Sequence, residues 1–172
     1  IKNGTSKELI NKIRKGNLDL KKQLPAVCFN GTFTSRNDNS LIEHSGLCIL
    51  DFDKYPNKEL FFQERKKIEE DIFTFAVFTS PSGNGLKVLV KIPKCDKDEH
   101  KLYFKGIEKH FNSEYFDEKC SNVSRVCFES YDPNLYLNKD SIQFTNKAVE
   151  QGYSVTEKVP VLPLKSENEI IN

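Results

Sequence analysis

Asp51 and Asp53 are the first residues whose types and spacing could do chemistry. They end the stretch Gly46-Leu47-Cys48-Ile49-Leu50-Asp51-Phe52-Asp53. In an extended chain, residues i and i+2 point to the same face, here with Cα atoms about 6.6 Å apart at roughly 3.3 Å per residue. Two carboxylates that close repel each other, and a divalent cation relieves the repulsion. Such a pair can converge on one ion, or on two held about 3.5–4 Å apart. The plainer alternative is a solvated strand end leading into Lys54-Tyr55-Pro56. The second candidate is Ser80-Pro81-Ser82-Gly83-Asn84-Gly85-Leu86-Lys87. Gly83 and Gly85 let the backbone approach an anion closely. Ser80 and Ser82 can donate to phosphate oxygens, and Lys87 can supply a point charge to a triphosphate. The segment lacks the GK[ST] of a Walker loop and joins strand to strand, so an ordinary hairpin turn is the alternative. The third candidate is Asp117, in Glu114-Tyr115-Phe116-Asp117, with Arg125. A third carboxylate would complete a two-metal site and an arginine could hold a phosphate; a turn acid and a surface arginine are the alternative.

Taken jointly, these stretches resemble the archaeo-eukaryotic primase-polymerases. That superfamily uses a hydrophobic-D-x-D motif, a Ser-x-His-type motif after a glycine-rich turn, and a hydrophobic-Asp motif. The resemblance is nearest to the VirE N-terminal-like primase domains of Bacteroidetes elements and phages. It rests on His44-Ser45-Gly46 through Asp53, on Ser80 to Lys87, and on Phe116-Asp117, Ser124 to Phe128 and Ser130 to Pro133, and covers about residues 25–138. It implies template-directed nucleotidyl transfer in replication of a phage or mobile element. Asp51, Asp53 and Asp117 would hold two Mg²⁺ or Mn²⁺ ions. Ser80, Ser82, Gly83, Gly85 and Lys87 would hold the phosphates of an incoming NTP or dNTP, with Arg125 a further phosphate or base contact. A single-stranded DNA template and a downstream helicase domain are the implied partners, and the cytoplasm of a bacterial host the implied location. One departure stands out: most of the superfamily has histidine where Lys87 aligns, and lysine has a different reach and no tautomers.

Two other functions compete. A non-catalytic RRM-like or origin-binding module would bind single strands through sheet aromatics, indifferent to the three acids. A metal-dependent nuclease could use Tyr131 or Tyr136, but no His-x-His motif accompanies them. His100 lies on an apolar helix face, where a satisfied core histidine is the expectation; His44 and Arg36 are weaker candidates for substrate and template contacts. Cys95, His100, Cys120 and Cys127 could in principle ligate zinc, but their spacings match no common pattern, and buried apolar cysteines are expected instead.

The elements that must position these residues read as follows. Thr5-Ser6-Lys7-Glu8 caps a helix to about Lys15, stopped by Gly16. Ala26 to Phe29 is a short strand, Asn30 to Glu43 a polar loop, and Leu47 to Asp53 a buried strand. A helix follows from Pro56 to about Glu70, then strands over Ile72–Ser80 and Leu86–Ile92 joined as a hairpin. Lys97 to Phe111 is the clearest helix, and Arg125 to Tyr131 the closing strand. The order implies an α+β fold: a split βαβ, RRM-like antiparallel sheet with helices packed on it. Residues 1–24 read as a basic helical segment, 25–146 as the catalytic domain and 147–172 as a tail or linker.

Composition agrees with a single globular domain. The 172 residues carry 26 Lys+Arg and 25 Asp+Glu, a net +1 that excludes a polybasic coat. The charges are segregated, however: +5 over residues 1–22, −3 over 37–70 and +3 over 80–110. Five cysteines without a CxxC point to a reducing compartment rather than a disulfide framework. No apolar run is long enough for a membrane span, and the absence of Met, even at position 1, suggests a piece of a longer protein.

Overall fold

The computed structural model describes residues 1–148. It is an α+β fold with an antiparallel sheet at its centre. The chain runs through α1 (Lys7–Arg14), a 3₁₀ turn (Leu18–Gln23), β1 (Ala26–Val27), β2 (Gly31–Phe33), β3 (Leu41–His44) and β4 (Leu47–Phe52). It continues through α2 (Lys58–Glu69), β5 (Thr74–Thr79), β6 (Leu86–Lys91), α3 (Lys97–Phe111), β7 (Cys127–Phe128) and β8 (Tyr136–Leu137). The main sheet has the order β4-β6-β5-β8. β6 is antiparallel to both neighbours, so β4 and β5 are parallel and joined through α2, as a split βαβ requires.

Alternation along the strands divides the core. Cys48, Leu50 and Phe52 of β4, with Val88 and Val90 of β6, face α2 and α3 and pack on Phe61, Ile68, Phe104 and Ile107. Ile49, Leu89, Ala76 and Phe78 face the opposite side, where Cys127 and Phe29 cover them. Asp51 and Lys87 follow the second parity. The sheet therefore carries both chemistry-bearing residues on the face away from α2 and α3.

The two longer helices start where Asx caps fall. Asn57 Oδ1 accepts from Leu60 N–H at 2.9 Å, and Asp96 Oδ1 accepts from Asp98 and Glu99 N–H at 2.9 and 2.8 Å. α1 departs from the expected capping box: Ser6 makes no side-chain cap, and its hydroxyl instead donates to Glu129 at 2.6 Å. The basic segment is thereby tied to the chain around β7, with Ile10, Ile13 and Leu24 packed against Phe128 and Tyr131.

Two further expectations are corrected. Residues 30–43 are not a plain loop, because β2 and β3 pair as a bulged hairpin, Gly31 opposite His44 and Thr32 opposite Glu43. The hairpin is held mainly by its backbone, which a hydropathy pattern does not register. The closing strand is also shorter than Arg125–Tyr131. Only Cys127–Phe128 is extended, and it pairs with β1 in a separate two-stranded sheet. Ser130 and Asp132 are occupied otherwise: Ser130 Oγ donates to Thr79 O at 2.6 Å, and Asp132 accepts from Thr79 N–H at 2.8 Å. They cap the end of β5, and the sheet edge is completed by β8, Tyr136 opposite Val77. Lys147 and Ala148 dock on α3, through an ion pair with Glu99 and a backbone bond to Leu102. The rest of the expected tail lies outside the described residues. Among those described, no helix is long and apolar enough to cross a membrane.

Candidate active site

β4 delivers Asp51 to its carboxyl end, and a second segment brings Asp117 to it. Phe52 and Phe116 form an antiparallel bridge, flanked by Asp53 N–H to Tyr115 O at 2.9 Å and Asp117 N–H to Asp51 O at 2.8 Å. Edge-to-face packing of Phe116 on Phe52 and a tilted contact with Phe104 anchor this short ladder to the core. Asp117 then caps a 3₁₀ turn, Glu118–Cys120, accepting from Lys119 N–H. The turn aims the buried Cys120 thiol back at both carboxylates, 3.0 Å from Asp117 Oδ2 and 3.4 Å from Asp51 Oδ2.

Donor atoms of Asp51, Asp117 and Cys120 all lie within 4.8 Å of one another, close enough to surround one cation. Asp53 is outside that group and lines the adjoining cleft instead. Partial burial alone would push the Asp117 pKa up. The Cys120 thiol, the Lys119 N–H and the positive charges of Arg125 and Lys54 outweigh it and hold the carboxyl below its usual value. Burial and the neighbouring Asp51 push the Cys120 thiol up, so it is present as a neutral donor.

The cleft beside this cluster has a volume of ≈ 330 Å³. One wall is Asp51, Asp53 and Lys54; the other is Ser80, Ser82, Asn84, Gly85 and Lys87, with Lys21 at the rim. Register explains the meeting: Lys87 lies directly opposite Asp51 across the β4–β6 ladder, and its ammonium is ion-paired with Asp51 Oδ1. The turn between β5 and β6 closes with Ser80 N–H to Gly85 O and Gly83 N–H to Ser80 O. Those two amides are therefore already used. The hydroxyls of Ser80 and Ser82, 3.1 Å apart, remain at the cleft with the Asn84 amide.

Both turn glycines are required. Gly83 has φ +82°, and a Cβ on Gly85 would lie 2.7 Å from Phe52 O. Gly85→Ala is expected to push the turn off β4, at a cost of about 1–3 kcal/mol. A thermal melt beside a nucleotide-binding titration checks this, both falling together. Arg125 is close enough to lower Asp117 but does not line the cleft; its Nη2 donates to Lys119 O at 2.9 Å and its buried Nε has no partner. Lys21 and Lys54 carry no mark of this site in the sequence, and Cys120 is weighed there only as a zinc ligand or a buried apolar cysteine. Lys21 belonged to a basic run read as a separate segment, and nothing local marks Cys120 until Asp117 is capped.

The remaining candidates lie elsewhere. His44 and His100 are at the opposite end of β4, about 13 Å along the strand from Asp51. Gly46 N–H donates to His44 Nδ1 at 2.9 Å, so the His44 proton is on Nε2 and points at His100 Nδ1, 3.0 Å away. His100 Nε2–H then faces Cys48 Sγ at 3.9 Å. Burial, then His44, depresses the His100 pKa to about 3. With Cys95 the pair has metal-ligand proximity, yet this tautomer leaves His44 Nε2 no lone pair to offer. The two imidazoles are a satisfied core pair. The four residues weighed for zinc do not converge: Cys95 and His100 sit here, Cys120 at the carboxylates, and Cys127 in neither group.

An antiparallel split-βαβ domain with a carboxylate–thiol cluster beside a hydroxyl- and lysine-lined cleft is thus the class that fold and site define. Residues 19–137 match the family model described as BT4734-like, N-terminal domain, and the chain belongs to that family. No curated protein and no solved structure matches it.

Proposed function

We propose that this domain is a template-dependent nucleotidyltransferase of the primase-polymerase type. One observation carries the reading: segments 66 residues apart in sequence bring Asp117 to Asp51, which shares one cleft with Ser80, Ser82 and Lys87. The two carboxylates fit Mg²⁺ or Mn²⁺, with Asp51 and Asp117 as first ligands and Asp53 available from the cleft wall, while the protonated Cys120 thiol, a soft donor, serves as their hydrogen-bond partner rather than as a ligand. Bound divalent ions would supply charge stabilisation for phosphoryl transfer. The chain's own residues do the rest. Ser80 and Ser82 donate to the nucleotide phosphates, while Lys21 and Lys54 add positive charge at the rim. The Cys120 thiol and Lys119 N–H fix the Asp117 carboxylate.

Lys87 has two roles in this reading. Without nucleotide its ammonium neutralises Asp51; with nucleotide bound it turns to the phosphates. Lys87→Met is therefore expected to weaken dNTP binding about tenfold, while leaving Mn²⁺ binding unchanged or tighter because a competing cation is gone. Calorimetric titrations with each ligand check both signs.

The test of function is incorporation of labelled NTP or dNTP on single-stranded DNA with Mn²⁺, wild type beside Asp51→Ala. Synthesis abolished by the substitution supports the reading; synthesis unchanged by it removes the metal site from the account. The Lys87–Asp51 ion pair also favours a second reading, because it satisfies the carboxylate without metal. A non-catalytic single-strand-binding module would bind DNA equally well with Asp51, Asp53 or Asp117 replaced, and would incorporate nothing.

A further inference from the structure

A second groove adjoins the cleft, and its lining differs in kind. It has a volume of ≈ 280 Å³ and is walled by Pro25, Val27, Phe29, Cys127 and Phe128, with Glu129 its one acid. Val27 is 53% exposed, unusual for a strand valine paired directly opposite a buried residue, Cys127. Phe29 and Phe128 present partly buried rings.

The groove is bordered by cations. Lys21 Nζ sits 5.7 Å from the Phe128 ring centroid, and the same lysine lines the carboxylate cleft. At the other end, Pro25 is shared with a shallow groove along α1 that contains Lys7 and Lys12. Lys7 lies over the Tyr131 ring at 5.2 Å. Lys21 thus links the apolar groove to the cleft that contains Asp51, and Pro25 links it to the α1 groove, where Lys7 and Lys12 stand with Glu8. The segment that supplies the lysines carries +5 over residues 1–22.

We propose that these linked grooves form a track that holds single-stranded nucleic acid, with bases in the Val27–Phe29–Phe128 groove and phosphates along Lys7, Lys12 and Lys21. The chemistry fits: successive bases offer apolar faces that pack on aromatic rings, and a continuous polyanion needs spaced cations. A peptide without acidic side chains would leave the run of lysines without a matching charge. The inference rests on the proposed polymerase reading for its direction, since a strand in this track leads to the cleft as a template would. The binding surface itself is independent of metal and nucleotide.

The test is fluorescence anisotropy of labelled oligo(dT) with the chain in EDTA, without nucleotide. Val27→Asp is expected to weaken binding about tenfold or more with the melting temperature unchanged. Lys21→Ala is expected to flatten the slope of log K against log [salt] by about 0.7. Ile42, 66% exposed on β3 and no part of the groove, is the control: Ile42→Asp should bind as wild type. Val27→Asp binding at wild-type strength, or Ile42→Asp failing equally, would overturn the proposal. So would sedimentation showing that Val27→Asp only breaks a self-association of the chain. Intact, Val27-sensitive binding in a protein that incorporates no nucleotide would sink the polymerase reading and leave this surface standing.

Discussion

Asp117→Asn is expected to lower nucleotide incorporation by on the order of 10²–10³-fold, the scale of losing one preorganised electrostatic group. The fold should survive, because asparagine caps a helical turn as well as aspartate does. Its side-chain oxygen can still accept from Lys119 N–H, as Asp117 Oδ1 does at 3.1 Å. What disappears is one negative charge beside Asp51, held ionised against its partial burial by the Cys120 thiol, the Lys119 N–H and then the charges of Arg125 and Lys54. Steady-state incorporation measured beside a thermal melt separates the two effects. Activity within a few-fold of wild type would remove Asp117 from the site.

The largest expected loss of stability lies in a buried ion pair that also supports the cleft. Asp132 Oδ2 receives Arg65 Nη1 at 2.9 Å, Thr79 N–H at 2.8 Å and Thr79 Oγ1 at 2.9 Å, while Arg65 reaches Glu69 as well. The two side chains are only 11% and 5% exposed. Asp132→Ala leaves the largely buried guanidinium with Glu69 as its one remaining carboxylate and Thr79 N–H without its acceptor, changes that together cost about 3–5 kcal/mol. For a domain of this size the melting temperature should fall by about 10 °C or more. The double variant Arg65→Met/Asp132→Leu should recover most of the loss, because no lone charge remains buried.

The pair also has a pH signature. Burial would push the Asp132 pKa up, but Thr79 N–H and Arg65 outweigh it and hold it below the ordinary value. The unfolded chain then binds the proton more readily. The contribution is complete above an unfolded pKa of about 3.9 and is lost as pH falls through the lower folded value. Denaturant melts below pH 4 should show a steeper loss in wild type than in Asp132→Ala, which retains only the contributions of other depressed carboxylates such as Asp38 and Asp117. Because Thr79 precedes Ser80, weakening this network should also raise the nucleotide concentration needed at the cleft.

Much of this was legible in the sequence, for identifiable reasons. α3 spans Lys97–Phe111 as its periodicity indicates, because an Asp cap and a long apolar face agree there. β4, β5 and β6 were readable because their apolar runs are bounded by turn residues. Asp51 and Lys87 were singled out separately; only the β4–β6 register shows that they are direct partners. Asp117 was found, but its route to Asp51 was hidden, since a single bridge at Phe116 has no sequence period. Nothing in the sequence around Arg65 marks it as buried, because its partner Asp132 lies 67 residues away. Cys120 reads as an apolar cysteine until the turn capped by Asp117 aims its thiol. β1, β7 and β8 fall within stretches that read as strands, Ala26–Phe29, Arg125–Tyr131 and Leu135–Leu137, but each is two residues long, too short for alternation to set its bounds.

In the proposed function, Asp51 and Asp117 form a divalent-cation site at which nucleotide is held. Mn²⁺ binding followed by electron paramagnetic resonance, with and without dNTP, measures it directly. Wild type should take up Mn²⁺ more tightly when dNTP is present, and Asp51→Ala should lose that uptake while remaining folded. Equal Mn²⁺ uptake by wild type and Asp51→Ala, with and without dNTP, would contradict the account.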